Sequence, residues 1–280
     1  MKYLFIAFLC CLSCLQLSHA SESDSIKICN LLEESKRYSQ ADDVVSYFAK
    51  KFVGIPYVAN TLEVNDEEQL VVNLRQMDCT TYVETVVSLA LCVQNGQFTY
   101  QDYINALRNL RYRNGVIDGY GSRLHYFSDW IDNNENMGFV KEVQSPNPPF
   151  SAIQVLNLDF MSKHPHSYKA LRISPYLVEE IRETEINLNG KKMNYIPKSS
   201  LANTSLLRKV VRNGDILAIV TNVKGLDIAH LGIALWRKDG LHMLHASSKQ
   251  GRVVEDNNTL RTYLNGNKSF LGIRVLRLTH

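Results

Sequence analysis

The sequence predicts an α+β fold, because segments with helical periodicity come first and a run of strands follows. Residues 24–53 and the residues after Asp78 carry apolar side chains at helical spacing. Residues 215–220, 230–236 and 241–246 are instead short apolar segments bounded by turn residues, which is typical of strands. We therefore expect helices that pack on an antiparallel sheet.

Residues 1–20 are predicted to be a secretory signal peptide. A basic residue, Lys2, precedes an apolar run that ends in small residues. The run is shorter than the roughly 20 apolar residues of a membrane span. We therefore expect an exported, periplasmic protein with no integral membrane segment after signal removal, and a lipid anchor at Cys14 is the alternative. Residues 21–280 are predicted to form a single domain.

The charge and cysteine content narrow the function. The chain has 31 Lys plus Arg against 28 Asp plus Glu and no basic block, so nucleic acid is not an expected partner. Outside the predicted signal peptide, three cysteines remain, and an odd number in an oxidising compartment indicates a reactive thiol. Cys79 and Cys92 would lie about 20 Å apart on one helix, too far for a disulfide. The third cysteine is Cys29.

Cys79 is predicted to lie in the first turn of a helix. Either Asp78 or Thr81 can cap this helix, and residues 81–84 (TYVE) fit a capping box. The N–H groups and positive dipole end of a helix amino terminus stabilise a thiolate. The position therefore predicts a cysteine nucleophile, and a small buried hydrophobe is the alternative for the same residue.

Two histidines are predicted to meet on the last two strands. Asp239-Gly240 favours a hairpin turn between the strands. If residues 237–240 form a four-residue loop, His230 lies opposite Ser247 and is the diagonal neighbour of His245 on the same face, about 7 Å away at Cβ. A two-residue turn would keep the shared face but separate the histidines further.

Metal catalysis is an alternative that the histidine spacing does not favour. His242 and His245 have the i, i+3 spacing of a zinc pair on a helix, but their imidazoles diverge on a strand. His164 and His166 flank a proline in what we expect to be a solvated turn. We therefore assign no metal and no other cofactor.

Several segments, in this order, resemble the papain-like NlpC-type cell-wall hydrolases. The shared pattern is an Asp-Cys pair that opens a helix, a His-x-Gly-Ile strand and a His-Ala-Ser strand; these are residues 78–84 (DCTTYVE), 230–235 (HLGIAL) and 245–247 (HAS). Finer features are similar to the N-acetylmuramoyl-L-alanine amidase branch, namely residues 54–57 (GIPY), 120–126 (YGSRLHY), 129–130 (DW) and 225–227 (GLD).

The resemblance implies a papain-like NlpC-type fold, with helices on a central antiparallel sheet and the nucleophile at a helix amino terminus. It implies that Cys79 attacks an amide carbonyl, that His230 is its base and that His245 orients His230. The backbone N–H of Cys79 and the hydroxyl of Tyr57 would stabilise the oxyanion. A packed aromatic ring is the alternative for Tyr57.

The stretch between Cys79 and His230 is longer than in the compact NlpC-type endopeptidases. We expect a family-specific insertion, about residues 95–205, that forms the substrate groove. Charged, imidazole and aromatic side chains suit sugars and carboxylates, and the predicted substrate-binding residues are Ser122, Arg123, His125, Tyr126 and Asp227. A surface ion-pair site at an aromatic-packed helix start is the alternative for Arg123 and His125.

The function that the resemblance implies is hydrolysis of the amide between N-acetylmuramic acid, including its 1,6-anhydro form, and L-alanine. The expected partners are peptidoglycan fragments, that is, disaccharide-peptides. Three alternatives remain: a γ-D-glutamyl–diamino-acid endopeptidase, an acyltransferase with the same triad, and a non-catalytic glycan-binding protein. The set of Cys79, His230 and His245 argues against the last, since binding alone needs no such triad.

Overall fold

The structure, a computed structural model, describes residues 22–38 and 41–279. The predicted signal peptide and Cys14 lie outside these residues. Within them, no helix is both long and apolar enough to cross a membrane. The helices of this part are α1 (Glu22–Ser35), α2 (Ala41–Lys51), α3 (Cys79–Gln94), α4 (Tyr100–Arg111), α5 (Phe127–Asn136), α6 (Phe160–Lys163), α7 (Lys169–Ile173), α8 (Pro175–Leu188), α9 (Ser205–Val210) and α10 (Leu260–Asn265).

The strands form one antiparallel sheet of order β2-β3-β8-β4-β5-β6-β7, and β1 pairs with β8 beside β3. The strands are β1 (Val140–Val143), β2 (Ala152–Val155), β3 (Lys192–Pro197), β4 (Ile216–Thr221), β5 (Ile228–Trp236), β6 (Leu241–Ser247), β7 (Arg252–Glu255) and β8 (Phe270–Leu278). The predicted α+β class and antiparallel sheet are confirmed. Residues 24–53 form two helices where the sequence predicts one helical stretch.

The central strands alternate between two apolar cores, as period-2 side-chain geometry requires. On one face, Ile216 and Ala218 of β4 pack with helices α1 to α5. On the other face, Leu217 and Ile219 pack with α9 and α10. Because both faces are covered, the sheet forms the middle layer of the molecule.

The long stretch between Cys79 and His230 contributes to more than one part of the fold. Helices α4 and α5 pack with α3 in the first core, and β1 and β3 pair with β8 in the sheet. A separate small core forms between Tyr120 and Leu188, where Tyr126, Leu158 and Ile181 are buried together. The limits of a family-specific insertion at about residues 95–205 stay a prediction.

A buried ion pair ties the sheet to α5. Arg274 of β8 is fully buried, and its Nε donates to Glu142 Oε1 of β1 at 2.5 Å. Its Nη1 donates to Ser128 Oγ of α5 at 2.7 Å. The Ser128 N–H donates to Asp227 Oδ2 at 2.6 Å. The network therefore fixes the residue directly before β5.

We expect Glu142→Ala to lower the free energy of unfolding by about 3–5 kcal/mol, because it leaves the Arg274 charge buried without its partner. Glu33→Ala breaks the exposed pair of Glu33 with Lys36 on α1 and should change the free energy little. Urea unfolding of both variants measures the difference. Equal losses would contradict the view that the buried pair anchors β8.

Candidate active site

Cys79 is the first residue of α3, and Asp78 is the cap. Asp78 Oδ1 accepts a hydrogen bond from the Thr81 N–H at 2.8 Å, and Thr81 Oγ1 accepts one from the Asp78 N–H at 2.9 Å. These reciprocal bonds form a capping box with Asp78 at its start, so Asp78 and not Thr81 is the cap. Glu84 takes no part in the box, because it is buried and paired with Arg111 at 2.7 Å.

The Cys79 sulfur lies against β5, beyond the end of the β5–β6 ladder. The paired residues run from Ile233 with Leu244 to Trp236 with Leu241, although both strands continue past these pairs. Past that end, the backbone N–H of Leu231 donates to the Cys79 sulfur. The first turn of α3 therefore contacts the strand at the residue next to His230.

His230 and His245 are joined directly. The ladder leaves residues 237–240 as a four-residue loop and places His230 on the face that carries His245, as predicted. His230 Nε2 and His245 Nδ1 are 2.6 Å apart, and the rings are nearly perpendicular with centroids 4.9 Å apart. His245 is fully buried, whereas His230 is half-buried.

Gly232 allows β5 and β6 to approach closely beside this pair. A Cβ at Gly232 would lie 2.4 Å from Met243 Cγ and 2.9 Å from the Leu244 carbonyl oxygen. Such distances are far below van der Waals contact, so the strand needs glycine here. The glycine of the His-x-Gly segment therefore permits the strand spacing that brings the two histidines together.

Asp256 extends the histidine pair across a third strand. Val254 of β7 pairs with His245, and Asp256 lies two residues further on the same face. His245 Nε2 and Asp256 Oδ2 are 3.2 Å apart. Sequence reasoning missed Asp256 because it did not predict β7. The available signal is residues 253–258 (VVEDNN), a short apolar strand that ends in turn-forming Asp and Asn.

Two tyrosines lie near the thiol. Tyr57 belongs to a segment whose backbone is fixed on both sides: the Tyr57 N–H donates to Gly251 O at 2.9 Å, and the Met77 N–H donates to Pro56 O at 3.0 Å. Burial raises the pKa of Tyr57, and the nearby Cys79 contributes to this shift. Its role as an oxyanion donor stays a prediction.

Tyr263 of α10, which sequence analysis did not identify, packs against the histidine pair. Its ring centroid lies 5.3 Å from that of His245 and 6.3 Å from that of His230. Burial raises the pKa of Tyr263 to about 12, with smaller contributions from Asp256 and Cys79. The hydroxyl is therefore protonated at neutral pH and available as a donor.

Burial controls the charge of the thiol and the imidazole. Burial, followed by the Asp78 carboxylate, raises the pKa of Cys79 to about 12, although hydrogen bonds from the Leu231 N–H and Thr80 oppose this. Burial, followed by His245, lowers the pKa of His230 to about 3. The helix terminus alone favours a thiolate, whereas burial favours the neutral thiol.

Three of the predicted substrate-binding residues are buried and engaged within the protein. Arg123 pairs with Glu63 at 2.5 Å and Glu68 at 3.3 Å. The Tyr126 hydroxyl donates to Glu185 Oε1 at 2.7 Å, and Asp227 accepts from α5 as described above. These contacts favour a supporting role for Arg123, Tyr126 and Asp227 over direct contact with substrate.

Ser122 and His125 are half-buried. Ser122 Oγ donates to Gly119 O at 2.7 Å, and His125 Nε2 lies 2.8 Å from Tyr120 O. The His125 ring also packs on the Tyr120 ring, with centroids 4.3 Å apart, and burial lowers the pKa of His125 to about 3. The interactions shape the loop, and substrate binding by Ser122 and His125 stays a prediction.

A cleft opens beside the histidine pair. Its volume is about 610 Å³, and its wall includes Asp256 and Tyr263, both of which contact His245. Most of the remaining lining is hydroxyl and amide groups, from Ser247, Gln250, Asn258 and Asn267. A second cavity of about 430 Å³ lies between the acidic residues 63–68 and Tyr120. The first cleft borders the candidate site through Asp256 and Tyr263.

The described residues include no cluster of three or more His, Cys, Asp or Glu arranged to hold a metal ion. His242 lies on the strand face opposite to His245, with Nε2 at 3.0 Å from Asp239 Oδ1 and Nδ1 at 3.0 Å from the Asp256 carbonyl oxygen. The two imidazoles thus diverge, as strand geometry predicts.

The chain is similar to proteins of one family along most of its length. Residues 47–273 match the family model of AmiA-like proteins, described as N-acetylmuramoyl-L-alanine amidase-like. No curated protein matches the chain. A solved N-acetylmuramoyl-L-alanine amidase from Bacteroides uniformis is 38% identical, with a TM-score of 0.81 over 86% of this chain and 100% of that chain.

Two further solved structures share the fold. A Bacteroides fragilis protein named "putative xylanase" is 44% identical, with a TM-score of 0.77 over 82% of this chain and 99% of that chain. A Legionella pneumophila protein that is 24% identical has a TM-score of 0.69 over 92% of this chain and 95% of that chain, and this likeness concerns the fold alone. The match over residues 47–273 and the identity to a solved amidase confirm the resemblance: this chain belongs to the AmiA-like, N-acetylmuramoyl-L-alanine amidase-like family.

Proposed function

We propose that this protein is a cysteine-dependent N-acetylmuramoyl-L-alanine amidase that acts on peptidoglycan fragments. The observation that carries the proposal is the 2.6 Å contact between His230 and His245 beside the strand residue that donates to the Cys79 sulfur. Covalent acyl transfer needs a nucleophile, a base and a group that orients the base, and we assign these roles to Cys79, His230 and His245.

In the proposed reaction, the Cys79 sulfur attacks the carbonyl carbon that joins the lactyl group of N-acetylmuramic acid to L-alanine. His230 takes the thiol proton and returns it to the leaving amine, so that the peptide departs with a free amino group. The sugar remains bound to Cys79 as a thioester. Water then attacks the thioester with His230 again as base, which releases the lactyl carboxylate and restores the thiol.

The oxyanion that forms on attack needs donors beside the sulfur. The Cys79 N–H is at the first position of α3, where no helical carbonyl oxygen is available to accept its hydrogen bond. Tyr57 is held near Cys79 by the backbone bonds of its segment. Each such donor is worth about 3 kcal/mol of transition-state stabilisation. We assign both groups to the oxyanion site.

The opposed pKa shifts of Cys79 and His230 are compatible with this mechanism. Each shift reflects the cost of one isolated charge in a site that is partly shielded from water. Transfer of the proton from the thiol to the imidazole creates two opposite charges beside each other, and their attraction offsets that cost. In this mechanism the proton moves from the thiol to His230 as the sulfur attacks.

The cleft and the predicted export support a cell-wall substrate. Hydroxyl and amide side chains line the cleft beside Asp256 and Tyr263, and such groups hydrogen-bond to sugars and peptides. Ser122, Arg123, His125, Tyr126 and Asp227 shape or line the groove in this proposal. Export to the periplasm, with residues 1–20 as the signal, would bring the enzyme to peptidoglycan.

The chemistry of the site favours amide hydrolysis over glycoside hydrolysis. A glycosidase needs two carboxyl groups that flank the scissile bond. Near Cys79, the Asp78 carboxylate caps α3, and the Asp256 carboxylate is bound by His245 and by Asn258. Both carboxylates are thus engaged by protein donors, whereas the thiol and the histidine pair have no use in glycosidase chemistry.

The proposed activity is tested with one defined disaccharide-tripeptide and mass spectrometry of the products. We expect the wild type to release free disaccharide and intact tripeptide, and Cys79→Ala to release neither. Cys29→Ala, which changes an exposed cysteine on α1, should keep full activity. A disaccharide-dipeptide product would indicate the γ-D-glutamyl endopeptidase instead. Capture of the sugar by added hydroxylamine in place of water would indicate an acyltransferase. The absence of any product would indicate a non-catalytic glycan-binding protein.

The charge state of the free thiol has its own test. Because the pKa of Cys79 is about 12, its alkylation by iodoacetamide should rise about tenfold per pH unit from pH 7 to pH 10. At pH 8, the exposed Cys29 should react faster than Cys79. Peptide mapping separates the two sites. A Cys79 rate that is already fast and constant below pH 7 would show a thiolate–imidazolium pair in the free enzyme.

A further inference from the structure

Asp256 lies outside the Cys-His-His set that the family resemblance implies, yet it is connected to that set. His230 lies on β5, His245 lies on β6 and Asp256 directly follows β7. Their three side chains share one face of the sheet. The contacts run from His230 Nε2 to His245 Nδ1 at 2.6 Å and from His245 Nε2 to Asp256 Oδ2 at 3.2 Å. Both contacts are shielded from bulk water, since His245 and Asp256 are buried.

The carboxylate decides which nitrogen of each ring carries the proton. An ionised carboxylate can only accept, so His245 Nε2 must be the N–H in its contact with Asp256. In a neutral ring the other nitrogen, His245 Nδ1, is then the acceptor, and His230 Nε2 must donate to it. His230 Nδ1 is left without a proton. The hydrogen bond from His245 also lowers the pKa of Asp256, which keeps the carboxylate ionised at neutral pH.

We propose that Asp256 is a positioning residue that sets the tautomers of His245 and His230, so that His230 Nδ1 is free to accept the Cys79 proton. This inference rests on the proposed function. Nδ1 is the ring nitrogen nearer to the backbone, and the adjacent Leu231 N–H contacts the Cys79 sulfur. The unprotonated nitrogen, His230 Nδ1, is therefore on the part of the ring nearest to the backbone of β5, the strand that contains Leu231.

Asp256 is held in a fixed orientation by Asn258. Asp256 Oδ1 accepts from the Asn258 N–H at 2.8 Å and from Asn258 Nδ2 at 3.1 Å, while Oδ2 faces His245. An asparagine at position 256 must keep its oxygen on these two donors. Its NH₂ group would then face His245 Nε2, which must become an acceptor, and both rings would change to the Nδ1–H tautomer.

The test compares Asp256→Asn with Asp256→Ala by kcat on the defined disaccharide-tripeptide. We expect Asp256→Asn to lower kcat on the order of 10³- to 10⁴-fold with little change in KM, because the wrong tautomer leaves His230 unable to accept a proton. Asp256→Ala should lower kcat by a smaller factor, because the rings can then sample both tautomers. A merely structural role predicts the opposite order, since Asn keeps the bonds to Asn258 and Ala does not.

Asp239→Asn is the matched control. Asp239 makes the same kind of contact with His242, on the other face of β6, at 3.0 Å, and its replacement should leave kcat unchanged. Nitrogen-15 NMR of histidine-labelled protein reads the tautomers without any substrate. We expect Nε2–H rings for His230 and His245 in the wild type and Nδ1–H rings in Asp256→Asn.

Several results would overturn the inference. These are Nε2–H tautomers retained in Asp256→Asn, a kcat of that variant within tenfold of the wild type, or a larger loss for Ala than for Asn in folded proteins. If Asp256→Ala fails to fold, the NMR comparison of Asp256→Asn with the wild type still shows whether Asp256 sets the tautomers of the two histidines. If the wild type itself has no amidase activity, the proposed function fails while the NMR measurement tests the tautomers independently.

Discussion

The antiparallel register of β5 and β6 is the constraint on which the candidate site depends. Side chains of a strand alternate between faces, so a slip by one residue would move every one of them to the other side of the sheet. The observed register pairs Trp236 with Leu241 across a four-residue loop and thereby places His230 and His245 diagonally on one face. Gly232 permits the close approach of the strands that this register requires. The register of β7 then adds Asp256 on the same face.

The helix and the sheet meet where the β5–β6 ladder ends. A backbone N–H that no longer serves the ladder, that of Leu231, donates to the Cys79 sulfur at the start of α3. The same close packing partly shields the thiol and the imidazole from water, and this burial opposes a charge on either group. Burial thus favours the neutral form of each group, and the attraction between the two charges would offset this cost in a thiolate–imidazolium pair.

Sequence reasoning could predict the parts of the site that depend on local patterns. The position of Cys79 at a helix start follows from the Asp-Cys-Thr-Thr segment, and the histidine pair follows from strand alternation and the loop length. Asp256 and Tyr263 could not be predicted, because their positions depend on the pairing of β7 and the packing of α10, which lie far from Cys79 in sequence. The pKa of the thiol was also beyond sequence reasoning, since a helix terminus indicates a thiolate while burial is a property of the whole fold. For Arg123, Tyr126 and Asp227, sequence reasoning could not predict the partners, because Glu63, Glu185 and the α5 backbone lie far from them in sequence.

One measurement tests both whether Cys79 is the point of covalent attachment and whether the muramic acid carbonyl is the group attached. Enzyme mixed with a disaccharide-tripeptide is quenched in acid within one turnover and examined by intact-mass and peptide mass spectrometry. We expect a thioester on the Cys79 peptide whose added mass equals the disaccharide acyl group, with no adduct in His230→Ala. An adduct that carries the γ-D-glutamyl end of the stem peptide, or an adduct on another residue, would contradict it.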